Sequence, residues 1–412
     1  MATGIVSTDL SADHQPVLSA IMLWLAAGAW LLLTAVLGTR LAGQRDRVAH
    51  EASSPASLTT VAGTAVLGTR LAGQGYHVAA AALLVVAALG WALLVLPVLR
   101  HWKTPTAGIS FVLCVATEGL AVLSATLAII YRAGWLVSAA VPALVLGLVF
   151  YVFTAARFDL RELLTGHGDH WVAGGALAIS ALAAAKVTEA AGALGLFTGQ
   201  HQVLTASTLV LWCLAMVWLF PLVIAEILRP RLNYEVSRWA TVFPLGMYAA
   251  CSFAAGQVTG ISGIADFGHV WTWVAFTVSL LALAGLFRRS WPLLRSRHRP
   301  SLTNLPRHLL ERVQEARRPV GHVVLADLPA HRPHPAPGLG GADRGSAHDG
   351  VLQAFDVVRV DQERAGQLVG GAGELAEHER AVLLVAAGHV LLGHQVHAVP
   401  QRGDQHDVGG QV

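Results

Sequence analysis

The chain has 412 residues, of which 54% are hydrophobic and 13% charged, against about 25% charged residues in an ordinary soluble domain. Long apolar runs recur from Val17 to Phe287 and then stop, too many and too long for a single soluble core. The net charge of +3 comes with arginines placed in short loops, so it implies neither nucleic acid nor an acidic partner, and Cys114, Cys213 and Cys251 show no disulfide or metal spacing.

In chain order the first element is a fragment. Residues 2–7, ATGIVS, read as the end of a first helix whose start lies upstream, because about six residues cannot cross a ~30 Å hydrocarbon core. No cleavable signal peptide is visible. The following apolar segments are expected to span: Val17–Leu37, the shorter Leu58–Leu71, Val78–Leu99, Ile109–Tyr131 and Trp135–Ala155. They continue with Trp171–Ala191, Leu204–Leu228, Trp239–Val258 and Val270–Phe287. With the fragment counted first, these are spans 1 to 10.

Loop charge tests this division. Loops after even-numbered spans hold Arg40, Arg45 and Arg47, then Arg100 and Lys103, Arg157 and Arg161, Arg229, Arg231 and Arg238, and finally Arg288, Arg289, Arg295, Arg297 and Arg299. Loops after odd spans hold only Arg70 and Arg132. The positive-inside rule then places both chain ends in the cytoplasm. Trp135, Trp171, Trp239, Trp271 and Trp291 fall near span ends, where amphipathic rings favour the headgroup zone. Pro142, Pro221 and Pro244 fall within spans, which membrane helices tolerate.

Two further features stand out. The undecapeptide TAVLGTRLAGQ occurs at 34–44 and again at 64–74, a local duplication rather than a solenoid because nothing else recurs. Beyond about residue 300 the texture changes: the tail holds His389, His394 and His397 among many histidines, has no Lys, Ile, Met, Trp, Tyr or Cys, and its longest apolar run, Ala381–Leu392, cannot span. It reads as disordered, or as a non-native, frameshifted segment.

Four blocks bring a family into view: MATGIVS at 1–7, TEGLAVLS at 117–124, GDHWVAGG at 168–175 and RWATVFPLGMY at 238–248. In this order they resemble the tellurite-resistance TehA / C4-dicarboxylate transporter family, which includes the plant slow-type anion channels. The resemblance covers about 1–290. It implies ten helices in five hairpins, odd spans lining a pore, and a homotrimer with one pore per protomer.

The resemblance also implies a pore gate at Phe243, a phenylalanine in the ninth span directly before Pro244. A hydrophobic constriction gates by steric block and dewetting, and Pro244 removes a backbone hydrogen bond, permitting a kink beside the ring. Read from the residues alone, Phe243 is a packing or lipid-facing aromatic. Glu118 and Lys186 are ionisable groups within odd spans, which cost at least ~2.5–3.5 kcal/mol and so face a cavity or a partner. A carboxylate repels anions, so Glu118 reads as protonated or paired, either a hydrogen-bond anchor or a pore residue. Lys186 attracts anions at the outer mouth or snorkels there. Thr117, Ser124, Ser180 and Thr241 are hydroxyls on odd spans that either donate to a passing anion or bond back to their own helix. Gly174, Gly175 and Gly246 permit close helix approach or widen a pore. His167, Asp169 and His170 admit a metal reading, but Asp169 as N-cap of the next helix is simpler.

The expectation is an all-α polytopic membrane protein: a ten-helix pore bundle over 1–299 with its first helix truncated, then a tail over 300–412. Its expected work is moving small anions (chloride, nitrate, C4-dicarboxylate or a tellurite-type oxyanion) across the inner membrane. No enzyme motif, cofactor or nucleic-acid partner is expected. The alternatives are a truncated non-functional product or, from another class, a membrane-embedded enzyme.

Overall fold

The computed structural model describes residues 1–165, 168–228 and 238–296, with the side chains of 164–165 and 292–296 outside the description. The tail over 300–412, its histidines and His167 lie outside the described residues. Within them the chain is helical, and no strand forms: α1 Ala2–Ala12, α2 Pro16–Gly43, α3 Arg45–Ala52, α4 Thr59–Gly73, α5 His77–Arg100, α6 Val112–Tyr131, α7 Gly134–Ala155, α8 Glu162–Thr165, α9 Trp171–Ala193, α10 His201–Leu228, α11 Trp239–Thr259 and α12 Ser262–Ser296. Seven segments, containing α2, α5, α6, α7, α9, α10 and α12, are long and apolar enough to cross a membrane. The chain is a multi-pass membrane protein.

Five helical hairpins result, α1–α2, α4–α5, α6–α7, α9–α10 and α11–α12, each reversed by a short turn. Every turn contains a residue with positive φ: His14 (58°), Gly75 (85°), Arg132 (52°), Gly195 (65°) with Phe197 (52°), and Gly260 (71°). Four turns close by one bond pattern, an N–H reaching the carbonyl five residues back: Gln15 to Leu10 at 2.8 Å, Tyr76 to Leu71 at 3.0 Å, Ala133 to Ala128 at 3.0 Å and Leu196 to Ala191 at 2.8 Å. That is the Schellman closure, which satisfies carbonyls otherwise orphaned at a helix end.

The first helix of each hairpin lies inside and the second outside. α1, α4, α6, α9 and α11 pack in a closed ring, with α1 meeting both α4 and α11. Neighbours in the ring run parallel: Cys114 faces Ala176 and Glu118 faces Ser180 one turn later, and likewise Gly4 meets Val66 before Ser7 meets Arg70. Burial follows the same division, 94% of α9's spanning stretch against 17% of α2's. Close approach depends on glycine at two levels. A Cβ on Gly175 would lie 2.9 Å from the Pro244 ring, and one on Gly246 would lie 2.6 Å from Ile5 Cγ2.

Outer helices are fastened to inner ones by a repeated contact. Trp30 on α2 donates its indole N–H to Thr64 on α4, Trp91 on α5 to Thr117 on α6, and Trp212 on α10 to Ser252 on α11, each at 2.9 Å. In each case the outer helix of one hairpin bonds the inner helix of the next. His269 on α12 pairs in turn with Asp13, just past α1, so the last hairpin is tied back to the first.

Two expectations need correction. Trp171 and Trp239 are buried rather than placed at a lipid headgroup surface; they open α9 and α11, and Trp171 donates to Glu226 on α10 at 3.3 Å. Trp135 and Trp291 are exposed. The N-cap of α9 is His170, not Asp169, whose backbone carbonyl accepts the Val172 N–H at 2.9 Å.

Candidate functional site

A cavity of about 160 Å³ lies inside the ring. All five inner helices supply its wall and no outer helix does: Ile5, Thr8, Asp9 and Ala12 from α1, Ala65, Val66 and Thr69 from α4, Gly119 and Val122 from α6, Ile179, Leu182 and Lys186 from α9, and Met247, Ala250, Phe253, Ala254 and Gln257 from α11. On α4, α6, α9 and α11 these residues come from the middle and later turns of parallel helices, so the cavity runs from mid-ring toward the hairpin turns. Ala12 and Gln257 are exposed and mark its mouth.

Toward the N-terminal ends of the helices the ring is closed. Phe243 sits one turn before Met247 on the stripe 243, 247, 250, 254 and 257, and only 2% of its surface is exposed. Stepping α4, α6 and α9 back one turn from the lining brings Val61 and Ala62, Val115 and Gly175, all buried, and the same step on α1 reaches Met1. One aromatic ring therefore lies on the lining stripe at a level built on α4, α6 and α9 of glycine, alanine and valine. Pro244, next in sequence, packs against Gly175.

Of the other residues singled out in the sequence, Lys186 lines the cavity, but its Nζ is paired with Glu189 at 2.7 Å, one turn along α9. Glu118 does not line it. Its carboxyl is fully buried between α6, α7 and α9, where it accepts Ser180 Oγ at 2.7 and 2.9 Å and Cys114 Sγ at 3.2 Å. A Cβ on Gly147 of α7 would overlap the Glu118 side chain. Ser180 is thereby spent on Glu118 and on Ala176 O at 3.0 Å. Thr117 faces α5, accepting from Trp91 and donating to Leu113 O at 2.8 Å. Ser124 and Thr241 are buried outside the lining, and Gly246 serves the contact between α1 and α11. Glu118 and Lys186, the acid and base an embedded enzyme would need, are not brought together.

Two further charged groups were not singled out in the sequence, Asp9 on the cavity wall and Arg70 outside the lining. Asp9 is buried at the wall, and neither carboxylate oxygen meets a protein hydrogen-bond partner. Arg70 is buried on the turn side of α4, its guanidinium donating to Ser7 Oγ at 3.0 Å and Ser19 Oγ at 2.7 Å, so one cation joins α1, α2 and α4. Asp9 falls between residues 2–7, read as the stump of a helix, and the span starting at Val17, and gave no signal by itself. Among the described residues no cluster of His, Cys, Asp and Glu is arranged to hold a metal ion.

Comparison with known proteins agrees with this architecture. Two curated relatives, uncharacterised membrane proteins of Mycobacterium tuberculosis strains CDC 1551 and H37Rv, are each 35% identical over 115 residues. The matches cover 26% of this chain and 57% of each relative, so the chain spans little over half the length of the curated relatives it matches. The family model described as voltage-dependent anion channel matches residues 1–287, the whole of the five-hairpin ring up to late α12. The chain belongs to the voltage-dependent anion channel family.

Proposed function

We propose that the chain conducts small anions across the membrane through the cavity enclosed by its five inner helices, with Phe243 as the gate. The observation that carries this reading is the placement of a buried aromatic ring on the lining stripe, one turn beyond the cavity's closed end. An apolar plug in a narrow helical ring blocks passage sterically and by dewetting, and removing it opens a path without new chemistry. Pro244 frees one backbone bond beside the ring, so the helix can bend there to move it. Thr8, Thr69, Gln257 and Lys186 supply polar contacts along the cavity, weak enough individually for an anion to leave as well as enter.

Substrates consistent with this wall are chloride, nitrate, C4-dicarboxylates and tellurite-type oxyanions. Family resemblance and loop charge support an inner-membrane homotrimer with both ends cytoplasmic and one pathway per protomer.

The test is anion flux into proteoliposomes. Phe243→Ala is expected to raise chloride or nitrate flux by about tenfold or more, equivalent to lowering the barrier by about 1.4 kcal/mol. Normal insertion of both proteins with no flux from either would overturn the reading and favour a non-functional product.

A further inference from the structure

Among the described residues, the ionisable side chains in and around the cavity wall come with partners, except one. Glu118 has Ser180 and Cys114, Arg70 has Ser7 and Ser19, Lys186 has Glu189, and Asp13 has His269. Asp9, midway along the cavity wall, has none for either oxygen. It is also held in place: Asp9 Oδ2 lies close to Gly246 on α11, where an added Cβ would come within 3.1 Å of it. An ionised carboxylate so placed loses hydration that nothing in the wall returns, and it would repel the anions the cavity is proposed to admit.

We propose that Asp9 is a proton-binding anion site, resting on the anion-conducting reading above. With a proton bound, its carboxyl donates a hydrogen bond to an oxyanion or carboxylate in the cavity; without the proton, it repels that anion. Anion binding and proton binding then favour each other, as reciprocal linkage requires. The proton comes from water at the cavity mouth and no bond in the anion changes.

The charged and titratable surroundings leave this role to Asp9. From α4 comes Arg70, already bonded to two serines. From α9 comes Lys186, already paired with Glu189. α11 brings Cys251, whose thiol donates to Tyr248 O at 3.3 Å, and α12 brings His269, engaged with Asp13. α2 carries no titratable side chain before Arg40.

The experiment measures nitrate and succinate flux as a function of pH in proteoliposomes, for the full chain and for Asp9→Asn, each with and without Phe243→Ala. The parent flux is expected to rise as pH falls, approaching about tenfold per pH unit at the steepest, the limit for one linked proton. Asp9→Asn retains a donor and cannot ionise, so its flux should match the parent's acidic rate at every pH. A second measurement needs no variant: adding nitrate to the purified parent in weak buffer should draw protons from solution. A parent flux that ignores pH, an Asp9→Asn profile identical to the parent's, or nitrate binding without proton uptake would each overturn the Asp9 site while leaving anion conduction intact. Absence of flux from every form at every pH would overturn both.

Discussion

At the scale of single residues the interior separates groups that hold helices together from groups that face the cavity. Glu118 belongs to the first set, with Ser180 donating to both of its oxygens. Removing one partner from a buried polar pair costs about 1–3 kcal/mol. Ser180→Ala is therefore expected to lower the melting temperature of the detergent-solubilised protein while leaving relative anion permeabilities unchanged. A change in selectivity with unaltered stability would instead place Ser180 in the pathway. The sequence left Glu118 open between anchor and pore residue for a physical reason. In a bilayer, lipid, protein neighbour and closed pore wall are all apolar, so the stripe that identifies the buried face of a soluble helix is missing. α9 shows this most clearly, being apolar and buried on almost every side. Phe243 stood out as a candidate gate only because a recognisable block surrounds it, and Asp9 had no such frame.

At the scale of elements the hairpins are set by their turns. Gly75, Gly195 and Gly260 could be read as turn residues, since glycine takes positive φ without steric penalty. His14 and Arg132 could not, because nothing in their chemistry asks for that conformation. The two kinds of turn predict opposite responses. Gly75→Ala puts a Cβ into the left-handed region at a cost of about 1–2 kcal/mol, whereas Arg132→Gly relieves such a cost. Thermal melting should show the first destabilised and the second unchanged or stabilised; the reverse order would mean that the Arg132 side chain contributes more than its backbone costs. The three indole–hydroxyl contacts were likewise hidden from the sequence. Trp30, Trp91 and Trp212 lie mid-span, and their partners stand 26 to 40 residues further on, where only the ring's geometry brings them together.

At the scale of the whole molecule, the alternation of arginine-rich and arginine-poor loops already implied five reversals, and the five hairpins match it. The ring itself was implied by resemblance and not by composition, because closure depends on the contact between α1 and α11, far apart in sequence. Since the ring is assembled within residues 1–288, a chain ending after Ser296 is expected to insert, melt and pass anions like the full chain. Loss of flux on removing the tail would show that residues 297–412 contribute to conduction.

The duplicated undecapeptide carries a consequence of its own. As residues 34–44 it forms the largely exposed end of α2, and as 64–74 it forms buried α4, with Thr64 accepting from Trp30 and Arg70 tying three helices together. Tertiary surroundings, not local sequence, decide which part each copy plays. A recombination that fused the two copies would delete 30 residues (34 to 64) and join α2 directly to the Gly75 turn and α5. The product would lose one crossing, so every later hairpin would have to thread the bilayer in the opposite sense, against the orientation its arginines favour. The repeat is thus a hereditary weak point: a single unequal exchange there would invert the rest of the protein without altering one of its remaining residues.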